Sequence, residues 1–199
     1  TGDEGSLARV VAVQPRKNSL TRTIDDNLKD ERVIVANVDQ LAIVISTTNP
    51  EPRTGFVDRA LVVAYDQGIS PLIIMTKQDL ANGDNFLETY KDLEIPVFKT
   101  EKSSDLSELR NALTGKITVL IGHSGVGKST LVNNLLAKNE LNKQVNDQQN
   151  SYRQTGDVNE ETGRGRHTSS SAVALPLSST FSGENFGWII DTPGVRSFG

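Results

Sequence analysis

The chain has 199 residues, 36% hydrophobic and 23% charged, the balance of a folded protein with one large domain or one domain plus a small appendage. A net charge of −4 argues against general coating of nucleic acid, since neutralising phosphates needs a positive surplus, although a local basic face stays open. No apolar run approaches the roughly 18 residues of a membrane span, and the absence of cysteine excludes disulfides and thiolate zinc sites within these residues and fits a reducing, cytoplasmic setting.

Residues from about Ser6 to Thr23 read as extended structure carrying Leu7, Val10, Val11 and Val13, with a polar, basic turn at Pro15–Ser19. Asp25–Glu31 reads as a charged linker. From there the texture changes: Val33–Ala36 and Leu41–Ile45 are β-branched apolar runs, the second continuous, as expected of a strand buried on both faces. Phe56, Val57, Ala60, Leu61 and Ala64 recur at helical spacing and end near Gly68. A strand follows at Leu72–Met75, a helix around Phe86–Leu93, a short strand at Ile95–Phe98, a helix at Asp105–Leu113 and a strand at Lys116–Ile121. Leu131, Val132, Leu135 and Leu136 mark the next helix, and two last strands are expected at Ala172–Leu177 and Trp188–Ile190. Strands alternating with helices predict a mainly parallel sheet covered on both faces. Residues 139–168 are polar, rich in Asn, Gln and Glu, and read as one long loop.

Gly122-His123-Ser124-Gly125-Val126-Gly127-Lys128-Ser129 fits the phosphate-loop spacing of Gly, four residues, then Gly-Lys-Ser. Glycines let successive backbone N–H groups curl around phosphates, and the helix that starts here, with Thr130 in its first turn, presents its positive end. Lys128 supplies a point charge to the phosphates and Ser129 a hydroxyl for Mg²⁺. The pattern also follows an apolar strand and precedes a helix, which a chance match would not require.

The loop names a nucleoside triphosphate without naming its base. Thr76-Lys77-Gln78-Asp79, directly after a buried strand, resembles the Asn/Thr-Lys-x-Asp guanine-recognition motif. A carboxylate at Asp79 can accept both the ring N–H and the exocyclic amine of guanine, whereas adenine offers no such donor pair. Asp191-Thr192-Pro193-Gly194, after the strand Trp188–Ile190, resembles the Asp-x-x-Gly switch, with Asp191 on Mg²⁺ and the Gly194 N–H sensing the γ-phosphate.

The order of these motifs is unusual. Base recognition at 76–79 precedes the phosphate loop at 122–130, and the switch at 191–194 comes last. A sheet depends on which strands adjoin and not on where the chain starts, so a circularly permuted P-loop GTPase fold of three layers is predicted. Together with Gly163-Arg164-Gly165-Arg166-His167-Thr168, Ala36-Asn37-Val38-Asp39-Gln40 and Asp191–Arg196, this order resembles the small-ribosomal-subunit-dependent GTPase A family (RsgA or YjeQ type). The resemblance implies an OB-type β-barrel before the GTPase domain and a zinc-binding domain after it. Residues 1–30 are therefore expected to be the tail of such a barrel plus a linker, and 31–199 the permuted GTPase domain. Zinc is expected only in the C-terminal domain that this chain lacks; Thr1 and the end shortly after the switch both read as cuts.

The resemblance further implies GTP/GDP and Mg²⁺ as ligands, the small (30S) ribosomal subunit and its rRNA as partner, a monomer, and no membrane. It makes Thr168 the switch threonine on Mg²⁺, with Ser169 as the adjacent register, and points to His167 as the group that orients the attacking water. Val195 holds the position after Gly194, and an aliphatic side chain cannot orient water. Where the family pattern has Asn, this chain has Thr76, and the loop that offers Ser-Ala to the guanine carbonyl is expected at Lys99-Thr100. Three readings compete: a phosphate-loop ATPase or kinase, which Asp79 opposes; a nucleotide-gated RNA-binding module using Arg9, Arg16, Lys17 and Arg22; and a large-subunit assembly GTPase, which the Gly-Arg-His-Thr loop opposes.

Overall fold

The computed structural model describes residues 11–23, 31–136, 172–177 and 187–192. Its centre is a six-stranded sheet. The strands are β3 (Gln40–Ser46), β4 (Ser70–Thr76), β5 (Val97–Lys99), β6 (Ile117–Ile121), β7 (Val173–Pro176) and β8 (Trp188–Asp191), in the order β5-β4-β3-β6-β8-β7. Every pairing is parallel except β7 against β8. The helices α1 (Thr54–Asp66), α2 (Asp84–Leu87), α3 (Ser107–Leu113) and α4 (Lys128–Leu136) complete it.

The continuous apolar strands are explained by two cores. Side chains alternate along a strand. Leu41, Ile43 and Ile45 of β3, with Ile73 and Met75 of β4, join Phe56, Val57, Ala60, Leu61 and Ala64 of α1. Ala42, Val44, Leu72 and Ile74 join Leu109 and Leu113 of α3 and Leu131, Val132 and Leu135 of α4. β6 repeats the division, with Val119 and Ile121 in the first cluster and Leu120 in the second. The molecule therefore has helices on both faces of a mainly parallel sheet.

Local differences from the sequence reading have physical causes. The expected helix around Phe86–Leu93 is the single turn α2 followed by a 3₁₀ stretch, Glu88–Leu93, closed by Glu94 at φ 51°. Its spacing buries Tyr90, whose hydroxyl donates to Asp58 of α1 at 2.8 Å. β5 starts at Val97, later than Ile95, because Pro96 has no N–H for the ladder and contributes its carbonyl to Ile73 N–H at 2.9 Å.

A second, two-stranded sheet pairs β1 (Ser19–Thr23) antiparallel to β2 (Glu31–Ala36), with a bulge between Leu20 and Thr21. Val11 and Val13, expected in a strand, are exposed, and the ladder starts only at Ser19. The hairpin is tied to the large sheet by Asn18, whose side-chain amide donates to the Val38 carbonyl at 2.8 Å and accepts from the Val38 N–H at 2.9 Å. Leu20, fully buried, belongs to the α1-side core.

Candidate nucleotide site

β6 ends in the middle of the sheet, between β3 and β8, and its chain turns at Gly122 against the backbone of β3. A Cβ there would lie 2.5 Å from the Val44 carbonyl oxygen, so only glycine permits this approach. Gly125 and Gly127 sit at φ 84° and 90°, the left-handed region a side chain would strain. Val126 between them belongs to the core and is 3% exposed, while Ser124 is exposed.

Lys128 opens α4 and is buried, its Nζ donating to the Gly122 carbonyl at 3.2 Å. Burial pushes its pKa down, and the nearby Asp191 carboxylate pulls it back up. A desolvated ammonium held by one neutral carbonyl among the described residues is poorly satisfied, and a phosphate is the group that would satisfy it. Ser129 and Thr130 follow, half-buried, in the first turn. The His123 ring packs on the Phe56 ring of α1, with the centroids 4.5 Å apart. Burial first, then Arg53, Lys128 and Arg59, lowers its pKa. His123 is thus placed to offer a phosphate its backbone.

The predicted base motif lies on the other side of the same cleft. Thr76 ends β4, and its Oγ1 stands 2.6 Å from the Val126 carbonyl and 3.1 Å from that of Ile45. One hydroxyl thus fastens the base strand to the phosphate loop. Lys77 turns the chain at φ 60° and sends its ammonium to the carbonyls of Thr48 and Asn49, while Thr47 Oγ1 donates to the Lys77 carbonyl at 2.7 Å. Burial lowers the Lys77 pKa, with Asp79 opposing and Lys102 adding to the shift. The Gln78 N–H donates to the Thr100 carbonyl at 3.2 Å, and Asp79 stands exposed beyond it. Between motif and loop is a cleft of about 200 Å³ lined by Thr76, Lys77, Asp79, Lys102, Gly127 and Thr130, among others.

Of the loop expected at Lys99-Thr100, Thr100 lines the cleft together with Glu101 and Lys102, while Lys99 pairs with Asp84. Both backbone groups of Thr100 are already used, by Met75 and Gln78. Lys102 and Asn134 are wall residues the sequence reading missed. No local signal marks them, because they meet across 32 residues.

Asp191 closes β8 opposite Leu120 of β6, one strand from the phosphate loop. Thr192, 2% exposed, donates its hydroxyl to the Leu120 carbonyl at 2.7 Å and pins the strand's end. Ser129 and Asp191 offer hard oxygen donors of the type Mg²⁺ takes, in the small number it needs when phosphates and water supply the rest. His167, Thr168, Ser169 and Gly194 lie outside the described residues.

A phosphate loop after β6 at the middle of the sheet, a base motif after β4 two strands to one side and an aspartate at the end of β8, its neighbour on the other side, define a circularly permuted P-loop nucleotide-binding domain. The comparisons agree. A family model described as RsgA GTPase matches residues 13–199, and the chain belongs to the RsgA GTPase family. The small ribosomal subunit biogenesis GTPase RsgA of Hahella chejuensis is 37% identical over 198 residues, covering 96% of this chain and 51% of that protein. The protein of the same name from Shewanella oneidensis is 36% identical over 204 residues, covering 98% and 52%. Among solved structures, YjeQ from Thermotoga maritima matches with a TM-score of 0.56 and 27% identity, over 92% of this chain and 54% of that one. YloQ, described as a circularly permuted GTPase, matches with a TM-score of 0.55 and 25% identity, over 94% and 52%. The chain spans about half the length of the curated relatives it matches.

Proposed function

We propose that this chain binds GTP, hydrolyses it to GDP and phosphate, and acts as a nucleotide switch in late maturation of the small ribosomal subunit. The observation that carries the nucleotide reading is the cleft, which puts Asp79 and Lys77 on one wall and Gly127 and Thr130 of the phosphate-loop region on another. Asp79 accepts from the guanine edge, Lys77 flanks the base, and Gly122–Gly127 with Lys128 hold the phosphates. Ser129 and Asp191 would hold Mg²⁺, joined by Thr168, and the ion would neutralise charge on the phosphates. His167 orients the attacking water and the Gly194 N–H reads the γ-phosphate, roles that rest on the motif resemblance. Residues 1–30 serve as barrel tail and linker ahead of the GTPase domain.

Phosphoryl transfer of this kind depends on positioning. With His167 as the water-orienting group, turnover by the chain alone is expected to be slow, about 10⁻⁴ to 10⁻² s⁻¹, and to rise when the partner binds. The ribosomal role is supported by the names of the relatives. The same reading expects a cytoplasmic monomer whose partner is the small subunit and its rRNA. Among the described residues no helix is long and apolar enough to cross a membrane. The test is GTP hydrolysis by the full-length protein with and without purified small subunits. Strong stimulation supports the whole reading; slow hydrolysis unaffected by small subunits keeps the GTPase and removes the ribosomal role.

A further inference from the structure

The phosphate and base halves of the cleft belong to different parts of the chain, so something must set their spacing. Thr76 is one such tie, and it is a limited one. A hydroxyl carries a single proton, and this one is shared between the carbonyls of Val126 and Ile45. A second link crosses the cleft at its far end. The side-chain amide of Asn134 in α4 donates to the Lys102 carbonyl at 3.2 Å, and both residues line the cleft.

The position of Lys102 makes that link consequential. Residues 100–104 form a tight turn closed on itself: the Glu101 N–H donates to Ser104 Oγ at 2.8 Å, and the Ser104 N–H donates to the Glu101 carbonyl at 3.3 Å. The base of the turn is tied to β4 by the Thr100 N–H donating to the Met75 carbonyl at 2.8 Å. Ser103 spends its hydroxyl within the turn, donating to Glu101 at 2.8 Å. Lys102 stands at the tip, and what holds the tip's carbonyl is Asn134. Asn134 is six residues beyond Lys128, about 9 Å along the same helix axis. A rigid helix therefore has the phosphate lysine at one end and the clasp on the base loop further along.

We propose that Asn134 is a positioning residue for the nucleotide base: by holding the Lys102 carbonyl it sets the separation of Lys102 from Asp79 and couples base binding to the helix that begins with Lys128 and Ser129. The inference rests on the nucleotide-binding reading above and deepens it. Asn134 needs no contact with the base; its effect passes through the turn.

The test uses Asn134→Leu, which keeps the side-chain size without the donor, and Asn134→Gln, which restores one. Displacement of a fluorescent GDP analogue by GDP, by IDP and by inorganic pyrophosphate separates the base from the phosphates. For Asn134→Leu the Kd for GDP should rise about three- to tenfold, the worth of one net hydrogen bond. Pyrophosphate should compete within about twofold of wild type, because the phosphate loop is untouched. The preference for GDP over IDP should narrow, and Asn134→Gln should recover most of it. Unchanged GDP affinity, or equal weakening for GDP and pyrophosphate with a lowered Tm, would overturn the proposal, the second by showing a purely structural role for Asn134. A wild-type chain that bound ADP as well as GDP would remove the guanine reading and this proposal with it.

Discussion

The two ends of the cleft are built from different materials. On the phosphate side the loop is backbone: Gly122 presses on the Val44 carbonyl, Gly125 and Gly127 hold positive φ, and Val126 and Lys128 are buried. On the base side the proposed reader is a single side chain, Asp79, standing exposed at the end of a turn held by Thr47, Thr48, Asn49 and Thr100. A backbone cradle tolerates almost no change of residue, and it binds any polyphosphate. A side-chain reader tolerates change structurally, and each change alters which base is read.

The largest expected effect attacks the reader. Asp79→Asn removes the charge and replaces one of the two accepting oxygens proposed for guanine with an amide donor, which suits the C2 carbonyl of xanthine. The ratio of GDP to XDP affinity, measured by competition, should swing by about a thousandfold or more, with Tm unchanged. An unaltered ratio would mean that the base is held elsewhere.

Lys128→Met tests the cradle. Nucleotide affinity should fall by about a hundredfold or more, in line with truncating one partner of a buried charged pair. The nucleotide-free chain should melt at the same temperature or higher, because folding no longer desolvates an ammonium. A large loss of Tm would show that Lys128 is structural.

Gly122→Ala breaks the cradle through its shape. The added Cβ meets a backbone oxygen at 2.5 Å, so β6 and β3 must part, at about 1–3 kcal/mol of stability readable by urea denaturation. The same substitution at Gly68, where a Cβ would meet nothing within 4 Å, strains only the backbone at φ 64° and should cost less.

The smallest effect concerns His123. Its folded-state pKa lies below the ordinary value of 6.5, so between the two values the unfolded chain binds more protons and stability rises with pH. The penalty is complete below the folded pKa and gone above the unfolded one. Replacing His123 with Asn should flatten the rise of Tm with pH on the acid side of 6.5, relative to wild type. An identical slope would show that His123 does not titrate in that interval.

The strands and the site motifs were legible for a local reason. Leu41–Ile45 is apolar at every position because both of its faces are covered, and Gly125 and Gly127 of the phosphate loop are demanded by the loop's own φ angles. Where the sequence reading slipped, distant partners had decided. The 3₁₀ stretch carries Tyr90 to Asp58 of α1, and the cleft wall at Thr100–Lys102 meets Asn134 of α4, contacts that no local pattern announces.

By itself the sequence determined the motif order, the residue types that can bind phosphate, and the apolar runs that must be buried. These depend on neighbours along the chain, whose geometry is set by φ, ψ and the period of the side chains. The tertiary structure alone decided that Thr76 meets Val126 fifty residues away, that Asp191 ends beside Leu120 and influences Lys128, and that Asn134 clasps Lys102. Such contacts follow from strand order and register, which juxtapose residues whose separation along the chain carries no signal of their meeting.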